Sequence, residues 1–322
     1  METPAWPDAE YILPLKWSSD NGLEELAGYL QQLSRHIPVM VVDGSQEVLF
    51  AAHAAAFPAA VRHCRPGHPE CRNGKVDGIL TGLDRTQARF LVIADDDVRY
   101  SPAQLQRILG LLEAADVVRP QNYFPAPLPW HAKWDTGRVL LNRAFGADYP
   151  GTLAVRTAAL RAAGGYSGDV LFENLELLRT VRAAGGTEVK AQDVFVPRLP
   201  CSTRHFFGQR VRQAYDDFAQ PLRLAAELAL LPVLLWSLHR PVRLVVFAGA
   251  AAAAAEYGRR KNGGAQVFGP TAALWAPAWA AERALCVWLA GARRLSGGIP
   301  YAGARLKTAA HSVRSLRRLM GT

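Results

Sequence analysis

The sequence predicts an α/β fold built on a mainly parallel sheet flanked by helices, followed by a basic, apolar helical region. Three observations carry this. Strand-like apolar runs alternate with stretches of helical period over the first hundred residues, two of those runs end directly in carboxylates (Asp43 and Asp95-Asp96-Asp97), and the composition changes abruptly after residue 217. With 322 residues, the chain can hold one catalytic-sized α/β domain plus an appended region. Hydrophobic residues at 50% and charged residues at 20% exclude wholesale disorder. Four cysteines are too few for a disulfide scaffold. The first thirty residues include Asp8, Glu10 and Asp20 and no uninterrupted apolar core, so the expectation is no secretory signal and a cytoplasmic catalytic domain.

The elements follow in order. Tyr11–Leu15 is a short apolar run, and Ser18–Asn21 is a turn and cap cluster before a helical period over Leu23–Leu33. Val39–Val42 is an uninterrupted apolar run of the kind that buried parallel strands show, and it ends at Asp43-Gly44-Ser45. A second helix is expected over Ala51–Phe57, a weaker strand at Ala60-Val61, and a helix opening at Asn73-Gly74 and running through Leu83. Phe90–Ala94 is the strongest strand of the set. This βαβαβαβ order implies a doubly wound sheet whose strand ends form a ligand crevice. No Gly-x-Gly-x-x-Gly follows the first strand and no Gly-x4-Gly-Lys-Ser/Thr occurs, which excludes dinucleotide and P-loop sites of those types. The stretch from Pro120 to Pro150 reads as loop-rich because of Pro120, Pro125, Pro127, Pro129 and Pro150. A helix is then expected over Glu173–Ala184, ended by Gly185-Gly186.

Charge divides the chain unevenly. Residues 1–217 hold 23 Lys and Arg against 25 Asp and Glu, whereas residues 218–322 hold 14 against Glu227, Glu256 and Glu282. The second region also contains two charge-free apolar runs, Leu228–Leu238 and Leu244–Ala255, and a Trp/Ala-rich run over Ala265–Ala281. A net of +11 beside apolar runs points to an anionic partner, a membrane surface rather than nucleic acid, because the basic residues bracket the apolar stretches. Each run falls short of the roughly 20 residues a bilayer span needs. Interfacial or re-entrant helices are therefore expected, with Trp236, Trp275, Trp279 and Trp288 at headgroup level. A short helical hairpin and an ordinary subdomain packed on the core are the alternatives.

Asp95, Asp96 and Asp97 directly follow a buried strand. Adjacent carboxylates repel unless a cation compensates, and a divalent ion on Asp95 and Asp97 is one such arrangement. A solvated turn capping the helix near Pro102 is the other. The order of strand with Pro14, strand with Asp43-Gly-Ser45, Asn73-Gly-Lys75, strand with Asp95-Asp-Asp-Val98, then Gly151-Thr-Leu-Ala-Val-Arg156, Gly164-Gly-Tyr166, Phe172-Glu-Asn174 and Gln209-Arg-Val-Arg212 resembles the family 2 glycosyltransferases of GT-A fold. Among these it is most similar to membrane-associated, ceramide glucosyltransferase-like and hopanoid-associated members. The resemblance covers about residues 9–217, and implies a GT-A catalytic domain over 1–217 with a donor half at about 9–118 and an acceptor half at about 119–217.

What the resemblance implies is an inverting, metal-dependent glycosyltransferase. Its donor is a nucleotide-diphosphate sugar, expected to be a UDP-sugar, and its acceptor is lipid-linked or amphiphilic. It assigns Asp95 and Asp97 to a divalent metal (Mn2+ or Mg2+), and Pro14, Asp43, Lys75, Asp96, Gln209 and Arg212 to the nucleotide and its diphosphate. Two positions depart from the pattern. Asn174 stands where the second acid of a Glu-Asp pair, the usual base, is found, and Gln213 stands where Gln-x-x-Arg-Trp has its Trp. An amide takes no proton at neutral pH, so the base falls to Glu173, with Asp169 and Glu176 as rivals. Trp130 and Trp134 are candidates for an acceptor platform or for ordinary loop packing. His63-Cys64-x3-His68-x2-Cys71 matches no standard zinc spacing, and its thiols read as free. The competing functions are a GT-A nucleotidyltransferase and an inactive, membrane-docked sugar-nucleotide binder. The expected location is the cytoplasmic face of the cell membrane, peripheral or with short inserted helices.

Overall fold

The computed structural model describes residues 4–301 and 304–321. The chain forms two compact units, one of the residues up to Pro120, Pro150–Val196 and the segment from His311, the other of Gln121–Tyr149 and Pro197–Ala310.

The first unit is built on a seven-stranded sheet. In chain order its strands are β1 (Ala9–Leu15), β2 (Val39–Asp43), β3 (Val61–Cys64), β4 (Phe90–Ala94), β5 (Val117–Tyr123), β6 (Thr152–Arg156) and β7 (Glu188–Pro197). Their spatial order is β3-β2-β1-β4-β6-β5-β7. Strands β3, β2, β1 and β4 are mutually parallel, and β6 runs antiparallel to both β4 and β5. The mostly parallel α/β architecture is therefore the observed one. Strands β2 and β4 are buried along their whole length, which explains their unbroken apolar runs: helices cover both faces of the sheet. On one face Tyr11, Leu13, Val41 and Val92 pack with Leu26 and Leu30 of α1 (Leu23–Leu33) and with Ile108 and Leu112 of α4 (Pro102–Leu112). Helix α4 opens with Ser101 accepting from Gln104 N while the Gln104 side chain accepts from Ser101 N, a reciprocal cap.

Helix α3 (Gly74–Arg85) lies unusually close to β1. A Cβ at Gly78 would stand 2.8 Å from Pro14 Cβ, and one at Gly82 2.5 Å from Ile12 Cδ1. This glycine seam brings the helix axis onto the strand. Helix α2 (Glu47–Ala56) starts four residues earlier than the apolar run implied, because Glu47 suits the positive end of the helix dipole. Strand β3 continues to Cys64 through Arg62 and His63, since an edge strand needs no continuous apolar run.

One expectation is corrected. The Pro120–Pro150 stretch is not all loop, because α5 (Trp130–Phe145) occupies its centre. Pro129 flanks the helix as N-cap, Pro150 lies beyond its end, and the sixteen helical residues contain no proline and bury Ala132, Val139 and Leu140. Helices α6 (Thr157–Ala162) and α7 (Glu173–Ala183) complete the first unit together with α12 (Val313–Met320), which packs against α7. The junction is specific: Glu176, fully buried, accepts from His311 N at 2.7 Å and lies 2.7 Å from His311 Nδ1, and Arg179 donates to His311 O at 2.8 Å.

The second unit comprises α5 with α8 (Thr203–Tyr215), α9 (Pro221–Leu238), α10 (Pro241–Arg260), α11 (Ala276–Leu295) and a hairpin of β8 (Ile299–Tyr301) and β9 (Ala304–Leu306). Helices α5 and α10 meet backbone to backbone, since a Cβ at Gly258 would fall 1.9 Å from Leu140 O. Beside that contact the buried Arg143 donates to Gly258 O and to Gln121 Oε1, both at 3.0 Å. Burial pushes its guanidinium down to about 10. Among the described residues, α9 is the one helix long and apolar enough to cross a membrane by length and composition, and only 11% of it is buried.

The glycine seam yields a first expectation. Gly82→Val forces a branched side chain into Ile12 and should destabilise by about 1–3 kcal/mol, whereas Gly28→Ala in α1, with nothing within 4 Å, should be neutral or slightly stabilising. Thermal unfolding of the two variants checks the contrast.

Candidate functional site

In sheets of this kind the ligand crevice lies at the carboxyl ends of the strands, and there the first unit gathers its charge. Asn73 caps α3: its Oδ1 accepts from Lys75 N at 3.1 Å, its Nδ2 donates to Val170 O at 2.9 Å, and its backbone N donates to Gly168 O at 2.8 Å. The first turn of α3 is thereby tied to the 168–170 loop. From that turn Lys75 reaches inward. Its Nζ lies 2.6 Å from Asp95 Oδ1, 2.9 Å from Glu173 Oε1 and 3.4 Å from Asn174 Oδ1. Burial alone would push the ammonium pKa down, but the Asp95 and Glu173 carboxylates outweigh it and hold Lys75 above the ordinary lysine value.

The acidic run itself is a turn at the end of β4 with all three side chains half-buried. Asp95 N donates to Gly151 O at 2.8 Å, and Val98 N closes back on Asp95 O at 3.1 Å. Asp96 accepts from the Trp17 indole N–H. Arg99 donates to the carbonyls of Asp96 at 2.7 Å and Val98 at 2.8 Å, and its Nε pairs with Glu25 at 2.9 Å. The turn is thus braced through its backbone carbonyls and amides, with the Asp95 carboxylate on Lys75.

Three acids compared in the sequence occupy different settings. Glu173 sits on Lys75 at the start of α7. Asp169 lies in the open, 3.6 Å from an equally exposed Arg72. Glu176 is enclosed under His311. Asn174 is satisfied at both ends of its amide, accepting from Lys75 and donating to Pro150 O at 2.8 Å. An aspartate there would set a carboxylate against that carbonyl oxygen. Pro14 is half-buried against Gly78.

Asp43 is fully buried. Its Oδ1 accepts from Ser45 N at 2.8 Å, and its Oδ2 lies 2.6 Å from His53 Nδ1 and 3.1 Å from His63 Nε2. Burial would push this carboxyl up, but the hydrogen bonds from His63, Ser45 and His53 prevail and hold it well below the usual carboxylate range. Reaching a ligand would require those bonds to open. Sequence reading missed His53, although a lone histidine inside the apolar helical run Phe50–Phe57 was the available signal. The His63–Cys71 motif does not converge as written: His68 pairs with Glu70 at 2.9 Å and Asp84 at 2.8 Å, while Cys64 and Cys71 are free thiols. Burial, helped by neighbouring carboxylates, pushes Cys71 up to about 11, so it is no ready metal ligand.

In the second unit, Gln209 and Arg212 line a pocket of about 580 Å³ on α8 together with Ser202, Arg204, His205 and Tyr301. The Gln209 amide donates to His205 Nε2, and the Arg212 guanidinium stands 4.6 Å over the Tyr301 ring. The lining carries two arginines and no carboxylate, a lining suited to an anion. Trp130 and Trp134 are in the first turns of α5, edge-on to each other and to Phe206. Trp134 Nε1 donates to Glu282 at 3.2 Å, while Trp130 is 43% exposed beside Phe207.

No protein-family profile and no curated protein sequence matches this chain. Solved structures do. The chain is similar to the mannosyltransferase PcManGT from Pyrobaculum calidifontis, solved in complex with GDP-Man and Mn2+, with a TM-score of 0.53 and 17% identity over 90% of this chain and 87% of that one. Weaker likenesses are to mannosyl-3-phosphoglycerate synthase from Rubrobacter xylanophilus (TM-score 0.40, 13% identity, 62% of this chain and 69% of that one) and to glucosyl-3-phosphoglycerate synthase from Mycobacterium tuberculosis, solved with Mn2+, UDP and phosphoglyceric acid (0.41, 15%, 64% and 79%). At 17% identity the first likeness establishes the fold alone: the α/β architecture described above is shared with that mannosyltransferase.

The Lys75 centre makes a stability expectation. Lys75→Met removes the ammonium set between Asp95 and Glu173 and should cost roughly 3 kcal/mol at neutral pH. Because the folded-state pKa of Lys75 is raised, the difference from wild type is fully present below the unfolded lysine pKa of about 10.4 and shrinks only as pH rises through the higher folded value. Denaturant unfolding at pH 7, 9 and 11 reads it.

Proposed function

We propose that this chain is an inverting, divalent-metal-dependent glycosyltransferase that moves a sugar from a nucleoside-diphosphate donor to the hydroxyl of an amphiphilic or lipid-linked acceptor. The observation that carries the reading is the convergence of Asp95, Lys75 and Glu173 at the end of β4, in a fold shared with an enzyme solved with GDP-Man and Mn2+.

The donor set fits the metal. Asp95 and Asp97 offer hard carboxylate oxygens of the kind Mn2+ and Mg2+ prefer, and the ammonium already resting on Asp95 marks the place as one that attracts a cation. When bound, the ion would neutralise charge on the leaving diphosphate. The chain's own residues do the rest. Lys75 passes from the two carboxylates to a phosphate oxygen, adding a second positive charge where the leaving group develops its negative one. Glu173, released from Lys75, takes the proton of the acceptor hydroxyl. The acceptor oxygen bonds to the anomeric carbon as the bond to the diphosphate breaks. Asn174 keeps its two hydrogen bonds and thereby positions the start of α7, leaving base duty to its neighbour. The α8 pocket, with Arg204 and Arg212, binds a phosphate-bearing group.

The acceptor class rests on the second unit. Trp236, Leu238, Val242, Val245 and Val246 are exposed on α9 and α10, and Arg240 and Arg243 stand at the turn between them. The guanidinium of Arg243 lies 3.9 Å over the Trp236 ring. An exposed apolar face edged with arginines suits the headgroup level of an anionic bilayer, such as a cytoplasmic leaflet.

Two experiments follow. Incubation with a panel of nucleotide sugars, with and without Mn2+, should release a nucleoside diphosphate only with metal. Asp97→Ala should abolish metal-dependent donor binding, and Glu173→Gln should lower turnover by about two orders of magnitude or more with donor affinity nearly unchanged. Release of pyrophosphate would instead identify a nucleotidyltransferase, and binding without turnover an inactive binder.

The full chain should also sediment with anionic liposomes and resist release by high salt, since the apolar contribution is not screened. Trp236→Asp combined with Val245→Asp should weaken sedimentation at least tenfold. Protein that stays dispersed and ignores liposomes would assign α9 and α10 to an ordinary packed subdomain.

A further inference from the structure

The cluster around Asp43 goes beyond that reading and does not depend on it. Asp43, His53 and His63 come from the end of β2, the middle of α2 and the edge strand β3, and their ligand atoms all lie within 4.8 Å of one another. Asp43 and His53 are wholly enclosed, and the His63 side chain is 9% exposed. We propose that Asp43 Oδ2, His53 Nδ1 and His63 Nε2 form a binding site for a late first-row divalent ion, Zn2+ by preference, separate from the acidic run Asp95–Asp97.

Several features favour a metal over a mere hydrogen-bonded clip. The two imidazoles converge on the same carboxylate oxygen, and two imidazoles with one carboxylate are a donor set that selects Zn2+ and its neighbours over Mg2+ or Ca2+. Each ligand is also held from behind. Asp43 Oδ1 is fixed by Ser45 N, so Oδ2 is the oxygen that faces the two imidazoles. The far nitrogen of His53, Nε2, lies 3.1 Å from Asp20 Oδ1, the outer carboxylate that metal-bound histidines commonly carry, and it aims Nδ1 at the site. Phe50 stacks on the His63 ring at 4.1 Å, and Trp17 meets the His53 ring edge-on at 5.5 Å. These rings limit rotation of the two imidazoles.

The two separations from Asp43 fall short of what an ion requires, and the ligand atoms as a set lie within 4.8 Å of one another. Ligands about 2.0 Å from a tetrahedral ion lie roughly 3.3 Å apart. The Asp43–His63 separation of 3.1 Å is near that value, and the Asp43–His53 separation of 2.6 Å must open slightly. On binding, the ion takes the ring lone pairs at His53 Nδ1 and His63 Nε2, and any displaced proton leaves to solvent. His53 Nε2 keeps its hydrogen and goes on donating it to Asp20 Oδ1. Three protein ligands leave a fourth position for water. The ion would clip the ends of β2 and β3 to α2. Trp17, which packs on His53, also donates to Asp96 and so links this clip to the acidic turn.

Cobalt titration tests the site on the full chain after chelator treatment, with no nucleotide present. One equivalent of Co2+ should give the visible absorption bands of nitrogen–oxygen ligation, and stoichiometric Zn2+ should bleach them. His53→Gln and His63→Gln should lose the bands, Asp20→Asn should weaken Co2+ binding by about 10–100-fold, and Asp97→Asn should retain them. Circular dichroism confirms that each variant is folded. If His53→Gln fails to fold, His63→Gln at the rim and the paramagnetically shifted imidazole protons of the wild-type cobalt protein decide the matter. Wild-type protein lacking these bands and shifts, bands that persist in His63→Gln, or bands that vanish in Asp97→Asn would each overturn the proposal.

Discussion

The Lys75 ammonium, set between Asp95 and Glu173, joins three elements that have no sequence proximity: α3, the end of β4 and the start of α7. Removing the cation would leave two carboxylates facing one another at short range, and like charges so placed cannot both remain ionised at low cost. The reach of Lys75 in turn depends on the glycine seam of α3. Gly78 and Gly82 let the helix descend onto Pro14 and Ile12, and one turn earlier the chain points Lys75 across the strand ends. Asn73 then fixes the helix start to the 168–170 loop. Packing, capping and ion pairing are thus one constraint expressed at three levels.

The same rule governs two buried acids of the first unit, Asp43 and Glu176. Asp43 is answered by His53, His63 and Ser45, and Glu176 by the backbone and ring of His311. Glu173 differs from both in having a partner on a long, rotatable stem. A carboxylate held by rigid rings or by backbone keeps its place, whereas one held by a lysine can be released when an anion competes for that lysine. This difference in partner, more than exposure, distinguishes Glu173 from Glu176.

Much of this was legible in the sequence where the signal is local. The buried strands β2 and β4 announced themselves as unbroken apolar runs, and carboxylates at their ends marked the crevice. Asn73-Gly74-Lys75 read as a helix start, which it is. The unreadable features are those set by contacts distant in sequence. Glu176 meets His311 135 residues away, and Asp43 meets His53 only because α2 folds back over β2. Helix α5 was hidden by a different effect: prolines around a segment depress its helical signal, yet prolines up to Pro129 only flank the helix and define where it begins.

The apolar character of residues after 217 is read correctly only by asking which faces are covered. Helix α11 turns an apolar stripe of Trp279, Ala284 and Val287 inward, with Arg283 buried beside it and Leu285, Trp288 and Leu289 facing outward. Helix α9 does not, for the side chains it buries include Glu227, which is 2.9 Å from Arg223, and Ser237, while Leu235, Trp236 and Leu238 face outward. That inversion, polar groups in and apolar groups out, is costly in water and becomes favourable against an apolar phase. The arginines at the α9–α10 turn add an electrostatic component of the sign an anionic surface requires. Composition alone treats α9 and α11 alike. Their burial separates them: α11 buries an apolar stripe that includes Trp279 and Val287, whereas the buried residues of α9 are Glu227 and Ser237.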